Sequence, residues 1–241
     1  MTIMVEKRKP KVDKAEVFCC GFCKKEFKRE KTLASHKCLQ KEKFLARDTR
    51  EGKVALDIWM RFRKFYRIPI KKAASPYDAF AESKEFQSFY DFAKYIIEAQ
   101  ILKTDEFIEY IFRNGIPQKQ WDTQALKKQW ILHVTRDEHP DSAITRAIHT
   151  LEEWALNTDN NINDFFTLVS PARFLMLVDS GKLSAWFIHA ASTRQALLDR
   201  LTDEEFNYIY DYIDPAIWNV KKLRYKEQYD RYCEVLKGIS L

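Results

Sequence analysis

Cys20 and Cys23 stand two residues apart, and His36 follows with twelve residues between. Around them the pattern is F-x-C-x2-C-x3-F-x5-L-x2-H, carried by Phe18, Cys20, Cys23, Phe27, Leu33 and His36. Two thiolates at that spacing chelate one ion from a tight turn, and a histidine on a helix closes over it. Phe18, Phe27 and Leu33 make a core too small to fold without the binding energy of a metal. Four of the five cysteines (Cys19, Cys20, Cys23, Cys38) fall within twenty residues, with Cys233 far away. Such a cluster reads as metal ligands in a reducing compartment, not as a disulfide framework.

The stretch resembles the C2H2 zinc-finger family at every position up to the first histidine. The resemblance implies a small ββα-type finger with one structural Zn2+, held by Cys20, Cys23, His36 and Cys38. The family's second histidine would fall between Gln40 and Glu42, and none is there. Cys38 offers a thiolate at an H-x-C spacing instead. Residues two apart on an intact helix point in different directions, so the helix must end or loosen at His36 for Cys38 to bind. Cys19 is the alternative thiolate, although Cys20 keeps the better register with Phe18 and Cys23. The family's docking geometry would place Arg29, Thr32 and Ser35 at the base-reading positions. Lys24, Lys25, Lys28, Lys31, Lys37, Lys41 and Lys43 suit phosphates. The H-x-C finger followed by the helix Leu56 to Tyr66 (LDIWMRFRKFY) also looks like uncharacterised proteins of large tailed bacteriophages, which implies a phage protein working in the host cytoplasm and supplies no activity.

Charge is divided along the chain. Residues 1–72 carry 22 Lys or Arg against 9 Asp or Glu, and the rest 19 against 26, within a net charge of +6. A basic head on an acidic body fits a polyanion at one end. Arg61, Arg63, Lys64 and Arg67 interleave with Trp59, Phe62, Phe65 and Tyr66, a mixture that holds a backbone and stacks bases in single-strand binders. The competing reading buries these aromatics on an ordinary helix, and at helical spacing it is the better one for them.

Only five glycines occur, and no Asp-Gly hairpin signal. Outside Phe18 to Phe27 the periodicity is helical, in stripes such as Leu56-Trp59-Met60-Arg63 with Phe65-Tyr66, Phe107-Ile108-Ile111-Phe112, Ile144-Ala147-Ile148-Leu151-Trp154-Ala155 and Phe206-Ile209-Tyr210-Ile213. Ser75-Pro76, Ser170-Pro171 and Asp214-Pro215 place a capping oxygen before a first-turn proline. Thr202 and Glu205 form a capping box, and Gly115 and Gly181 suit helix ends. The fold class is mainly α: a basic arm over 1–16, a finger over 17–40, a basic linker and helix over 41–72, and an all-helical domain of seven to nine helices over 73–241.

No nucleotide-binding, hydrolase or zinc-protease motif is present. His133 and His139 read as surface residues, and His149 and His189 as core-edge ones. The pairs Asp137-Glu138, Glu152-Glu153 and Glu204-Glu205 read as solvated. No run is long and apolar enough for a membrane span, so the expected location is the cytoplasm. The expectation is a non-catalytic protein that binds nucleic acid, DNA ahead of RNA, with a protein partner for the acidic body. The alternative is a zinc-stabilised protein-interaction module with no direct nucleic-acid role.

Overall fold

The computed structural model describes residues 17–241; the arm read over residues 1–16 lies outside them. Strands β1 (Phe18–Cys19) and β2 (Glu26–Phe27) pair antiparallel with Phe18 opposite Phe27. Helix α1 (Glu30–Ala34) packs on both. This is the ββα unit expected, and everything after it is helical.

The segment read as a basic linker and helix over 41–72 holds the expected helix, α3 (Arg50–Phe65), and in place of a linker a second one, α2 (Leu39–Ala46), joined to it at a tight corner. Thr49 caps α3: its Oγ1 accepts from the Gly52 amide at 3.0 Å and donates to the Ala46 carbonyl at 2.9 Å. The backbones approach so closely that a Cβ on Gly52 would lie 1.8 Å from the Ala46 oxygen. Glycine is therefore required at this position by contact.

Next come α4 (Pro76–Glu82), α5 (Phe86–Ala99) and α6 (Thr104–Arg113). Helix α3 lies along α5, burying Ala55, Ile58 and Trp59 in the same core as Phe80 and Phe89. The indole of Trp59 donates to Glu85 at 2.7 Å, and Arg63 donates to the same carboxylate at 3.0 Å. The basic helix is thus one wall of the body. Its buried face is turned from the expected stripe: Met60, Phe65 and Tyr66 are exposed. Small Ala55 sits at the centre of the face that meets α5.

The remaining helices are α7 (Gln124–Asp137), α8 (Pro140–Thr158), α9 (Phe165–Leu168), α10 (Pro171–Asp179), α11 (Ala185–Ala190), α12 (Gln195–Leu198), α13 (Asp203–Ile213), α14 (Pro215–Arg224) and α15 (Lys226–Gly238). From residue 73 onward that makes twelve α-helices with three short 3-10 turns among the described residues, more than the seven to nine expected. The three shortest pieces, α9 and α12 of four residues each and α11 of six, are too short to leave a period in the sequence. Helix α11 is apolar nearly all round, so α8, α13 and α15 enclose it.

Ser75, Ser170, Thr202 and Asp214 cap their helices as read. Gly115 follows α6 at φ +60, its amide bonded to Phe112 O and that of Ile116 to Ile111 O, which satisfies two end carbonyls.

Two buried polar knots join distant helices. Asp179, at the end of α10, accepts from Gln124 and Lys127 of α7 at 2.8 and 2.7 Å and from Tyr208 and Tyr212 of α13 at 2.6 and 3.0 Å. Burial alone would raise its pKa, but the bonds from Lys127, Tyr208 and Gln124 outweigh it and hold the carboxyl below its ordinary value. Tyr208 is pushed up to about 12 by burial and by Asp179. The knot turns Tyr208 and Tyr212 inward, which leaves Phe206 and Tyr210 of the expected stripe exposed. In the second knot Arg146 grips Glu138 with two bonds of 2.7 and 2.8 Å and donates to Gly181 O at 2.7 Å. Glu138 is therefore buried, not solvated as the adjacent acids suggested. Its pKa is raised, because burial exceeds the pull of Arg146.

His189 is the polar tip of α11, with Nε2 3.1 Å from Ile213 O. Burial, helped by the charges of Lys222 and Arg194, drops its pKa to about 4. His149, by contrast, is exposed and bonds Glu152 at 3.1 Å.

Two outcomes are expected. Gly52→Ala forces the α2–α3 backbones apart and lowers stability by about 2 kcal/mol or more in urea unfolding. The neutral folded His189 refuses a proton that the unfolded chain takes below pH 6.5. Its contribution is therefore complete above that pH, falls on acidification, and levels off below about 4. His189→Gln, which keeps a donor for Ile213, should flatten this acid limb by up to about 3 kcal/mol in pH-dependent unfolding.

Candidate metal centre and basic surface

Cys20 leaves β1 into a knuckle closed by Cys20 N to Lys25 O at 2.9 Å and Lys24 N to Cys20 O at 3.0 Å. Lys24 takes a left-handed turn at φ +59, which brings Cys23 back beside Cys20. Helix α1 stops at Ala34 with Ser35 as its cap. His36 thus stands just past the helix, stacked on Phe27 with ring centroids 4.9 Å apart. The chain is extended at Cys38 (φ −108, ψ 104), so the helix ends before the H-x-C step, as the spacing demanded.

The four ligand atoms of Cys20, Cys23, His36 and Cys38 all lie within 4.8 Å of one another. Cys20 and Cys38 sulfurs are 3.6 Å apart, and Cys23 Sγ is 3.2 Å from His36 Nε2. A tetrahedron with zinc–sulfur bonds of about 2.3 Å has sulfur–sulfur edges of about 3.8 Å. The cluster therefore has the size and donor set to hold one metal ion. Cys20 and Cys38 are buried. Cys19 is exposed and stands outside the cluster, so Cys38 is the third thiolate. Amides of Cys23 and Phe22 hold the Cys20 thiol below its ordinary value, which favours the thiolate form. The Lys25 amide favours the Cys23 thiolate, but burial and the facing thiols of Cys20 and Cys38 push Cys23 up. Cys38 has a second task. Its Sγ accepts the Lys41 amide at 3.4 Å and so caps α2.

Lys24, Lys25, Lys28, Arg29, Lys31, Thr32 and Ser35 are all exposed on the finger. None of these five cations has an ion-pair partner among the described residues. Lys24 Nζ donates to Gly21 O, Lys25 lies over Phe27, and Ser35 Oγ donates to Thr32 O. On α3 the four basic residues divide. Arg61 is held by Asp57 and Asp105, both at 2.8 Å, and Arg63 by Glu85. Lys64 and Arg67 are exposed and without an ion-pair partner among the described residues.

Sequence reasoning did not find Arg113, which shares a cleft with Lys64 and Arg67. It lies 46 residues beyond Arg67 on another helix, and no local pattern joins them. Nor did it find the α2–α3 corner. Among the described residues no other group of three or more His, Cys, Asp or Glu is placed to hold a metal, and no helix is long and apolar enough to cross a membrane. No family model matches the chain, and no curated protein or solved structure matches it.

Titration of the reduced chain with cobalt or zinc should reach one ion per chain. Cys38→Ala should weaken that binding by more than about a hundredfold, whereas Cys19→Ala should leave it unchanged.

Proposed function

We propose that this is a zinc-finger nucleic-acid-binding accessory protein without catalytic chemistry, with DNA favoured over RNA. The observation that carries it is the row of uncompensated cations on the finger, continued by Lys64 and Arg67 at the end of α3. Cations unmatched by carboxylates are a stored attraction for a polyanion, and each phosphate they meet releases counterions. The metal is zinc in this reading, because three thiolates and an imidazole at tetrahedral spacing leave no open position and suit a structural Zn2+. Cys20, Cys23, His36 and Cys38 hold it, and it fixes the knuckle that presents Lys24, Lys25, Lys28 and Arg29. The acidic helical body is then the surface for a protein partner. The setting we infer is a bacteriophage protein in the host cytoplasm. It is supported by the H-x-C ending and the basic helix after it.

One observation favours a second reading. Phe22, Leu39, Phe44 and Leu45 are exposed on the finger and α2, an apolar flank that fits a protein-interaction module.

Salt titration decides between them. The zinc-loaded chain should bind fluorescent DNA with a Kd of about 1–100 μM at physiological salt, and its affinity should fall steeply as salt rises. The triple variant Lys28→Glu, Arg29→Glu, Lys31→Glu should weaken binding at least tenfold and flatten the salt slope. Absence of binding at low salt would leave the apolar flank, and a protein partner, as the finger's business.

A further inference from the structure

Resting on the nucleic-acid reading, we infer that the ligand is a single strand, held at the C-terminal end of α3 with a base stacked on Phe65. Three observations bear on strand form. The finger helix α1 has five residues, a length of about 7.5 Å. It cannot lengthen, because His36 and Cys38 must leave the helix to reach the metal cluster. A single finger reads only about three base pairs of a duplex, too small a site to hold one specifically by itself.

The end of α3 has what a single strand uses. Phe65 is 48% exposed and Tyr66 41%, with ring centroids 5.0 Å apart. Phe65 is braced from behind by Phe112 at 5.8 Å, and Tyr66 donates its hydroxyl to Phe112 O at 3.0 Å. A cleft of about 480 Å³ is lined by Phe65, Phe112, Arg61, Lys64, Arg67 and Arg113. Its one carboxylate, Glu109, is occupied by Arg113 at 2.8 Å. On the other side of Lys64 and Arg67 a second cleft of about 520 Å³ continues past Met60 and Ile70. Two cations without ion-pair partners among the described residues therefore line both clefts, with an aromatic face in the first. A duplex stacks its bases inside and offers only phosphates to such a site, whereas a single strand has bases free to stack on a rigid ring while its phosphates meet the cations.

Arg67 adds a further sign. It occupies the left-handed position after α3 at φ +54, with its amide on Lys64 O and the Ile68 amide on Arg63 O at 2.8 Å. Glycine fits that position without strain, and the residue found there is instead one of these two cations, which line both clefts.

The test is fluorescence anisotropy of the zinc-loaded full chain with oligothymidylate, oligouridylate and a mixed-sequence duplex of equal length. Both single strands should bind tighter than the duplex, and their ratio separates deoxyribose from ribose recognition. Phe65→Ala should lose about tenfold for the single strands and little for the duplex. Arg67→Gly should weaken single-strand binding and lower its salt slope by about 0.7 while leaving the melting temperature equal or higher, which a structural role for the side chain would not give. Duplex binding as tight as single-strand binding, with Phe65→Ala without effect, would overturn the single-strand inference and leave the nucleic-acid reading intact. No binding to any of the three at low salt would overturn both.

Discussion

The sulfur of Cys38 serves two structures at once. It closes the four-ligand cluster with Cys20, Cys23 and His36, and it caps α2 by accepting the Lys41 amide. From there α2 runs into the Thr49–Gly52 corner, and α3 runs along α5 into the core of the body. Phe22 of the knuckle packs on Phe44 of α2 at 5.5 Å, and Tyr77 of α4 bonds the Lys43 carbonyl. A finger of this size has no core able to order it alone. Its position on the body therefore depends on the metal ligands and on this short chain of contacts.

The body is built to stay still. Asp179 and Glu138 tie α7, α8, α10 and α13 together through ionic bonds that are almost dry. Removing one partner of such a pair strands the other charge, so these knots specify how the helices pack more than they add stability. The exposed surface includes a cationic finger and the end of α3 with its exposed rings. The end of α3 belongs to a helix whose opposite face lies in the core, whereas the finger helix buries no residue and rests on its two strands and the ligand cluster.

Much of this was legible in the sequence where the cause is local. Proline and capping oxygens at 75–76, 170–171 and 214–215 mark helix starts because they act on their own first turn. The spacing at Cys20, Cys23 and His36 marks a chelate for the same reason. The H-x-C step even foretold where α1 must end. Long-range causes left no trace. Asp179 is one acid at a helix end, and its partners lie 52 to 55 residues before it and 29 to 33 after it. The demand for glycine at position 52 comes from Ala46 O, across a corner invisible in the pattern. The face of α3 was misread because an aromatic on a basic helix has the same period whether it is buried like Trp59 or exposed like Phe65.

Amide hydrogen exchange of the full chain, zinc-loaded and then chelated, tests the dependence of the finger and α2 on the metal most directly. The expected result is that chelation exposes the amides of residues 18–38 together with Lys41 and the rest of the first turn of α2, while α5, α8 and α11 keep their protection. Undiminished protection at Lys41 and Glu42 after chelation would contradict it, because α2 would then be held by the body alone and the metal would order nothing beyond its own ligands.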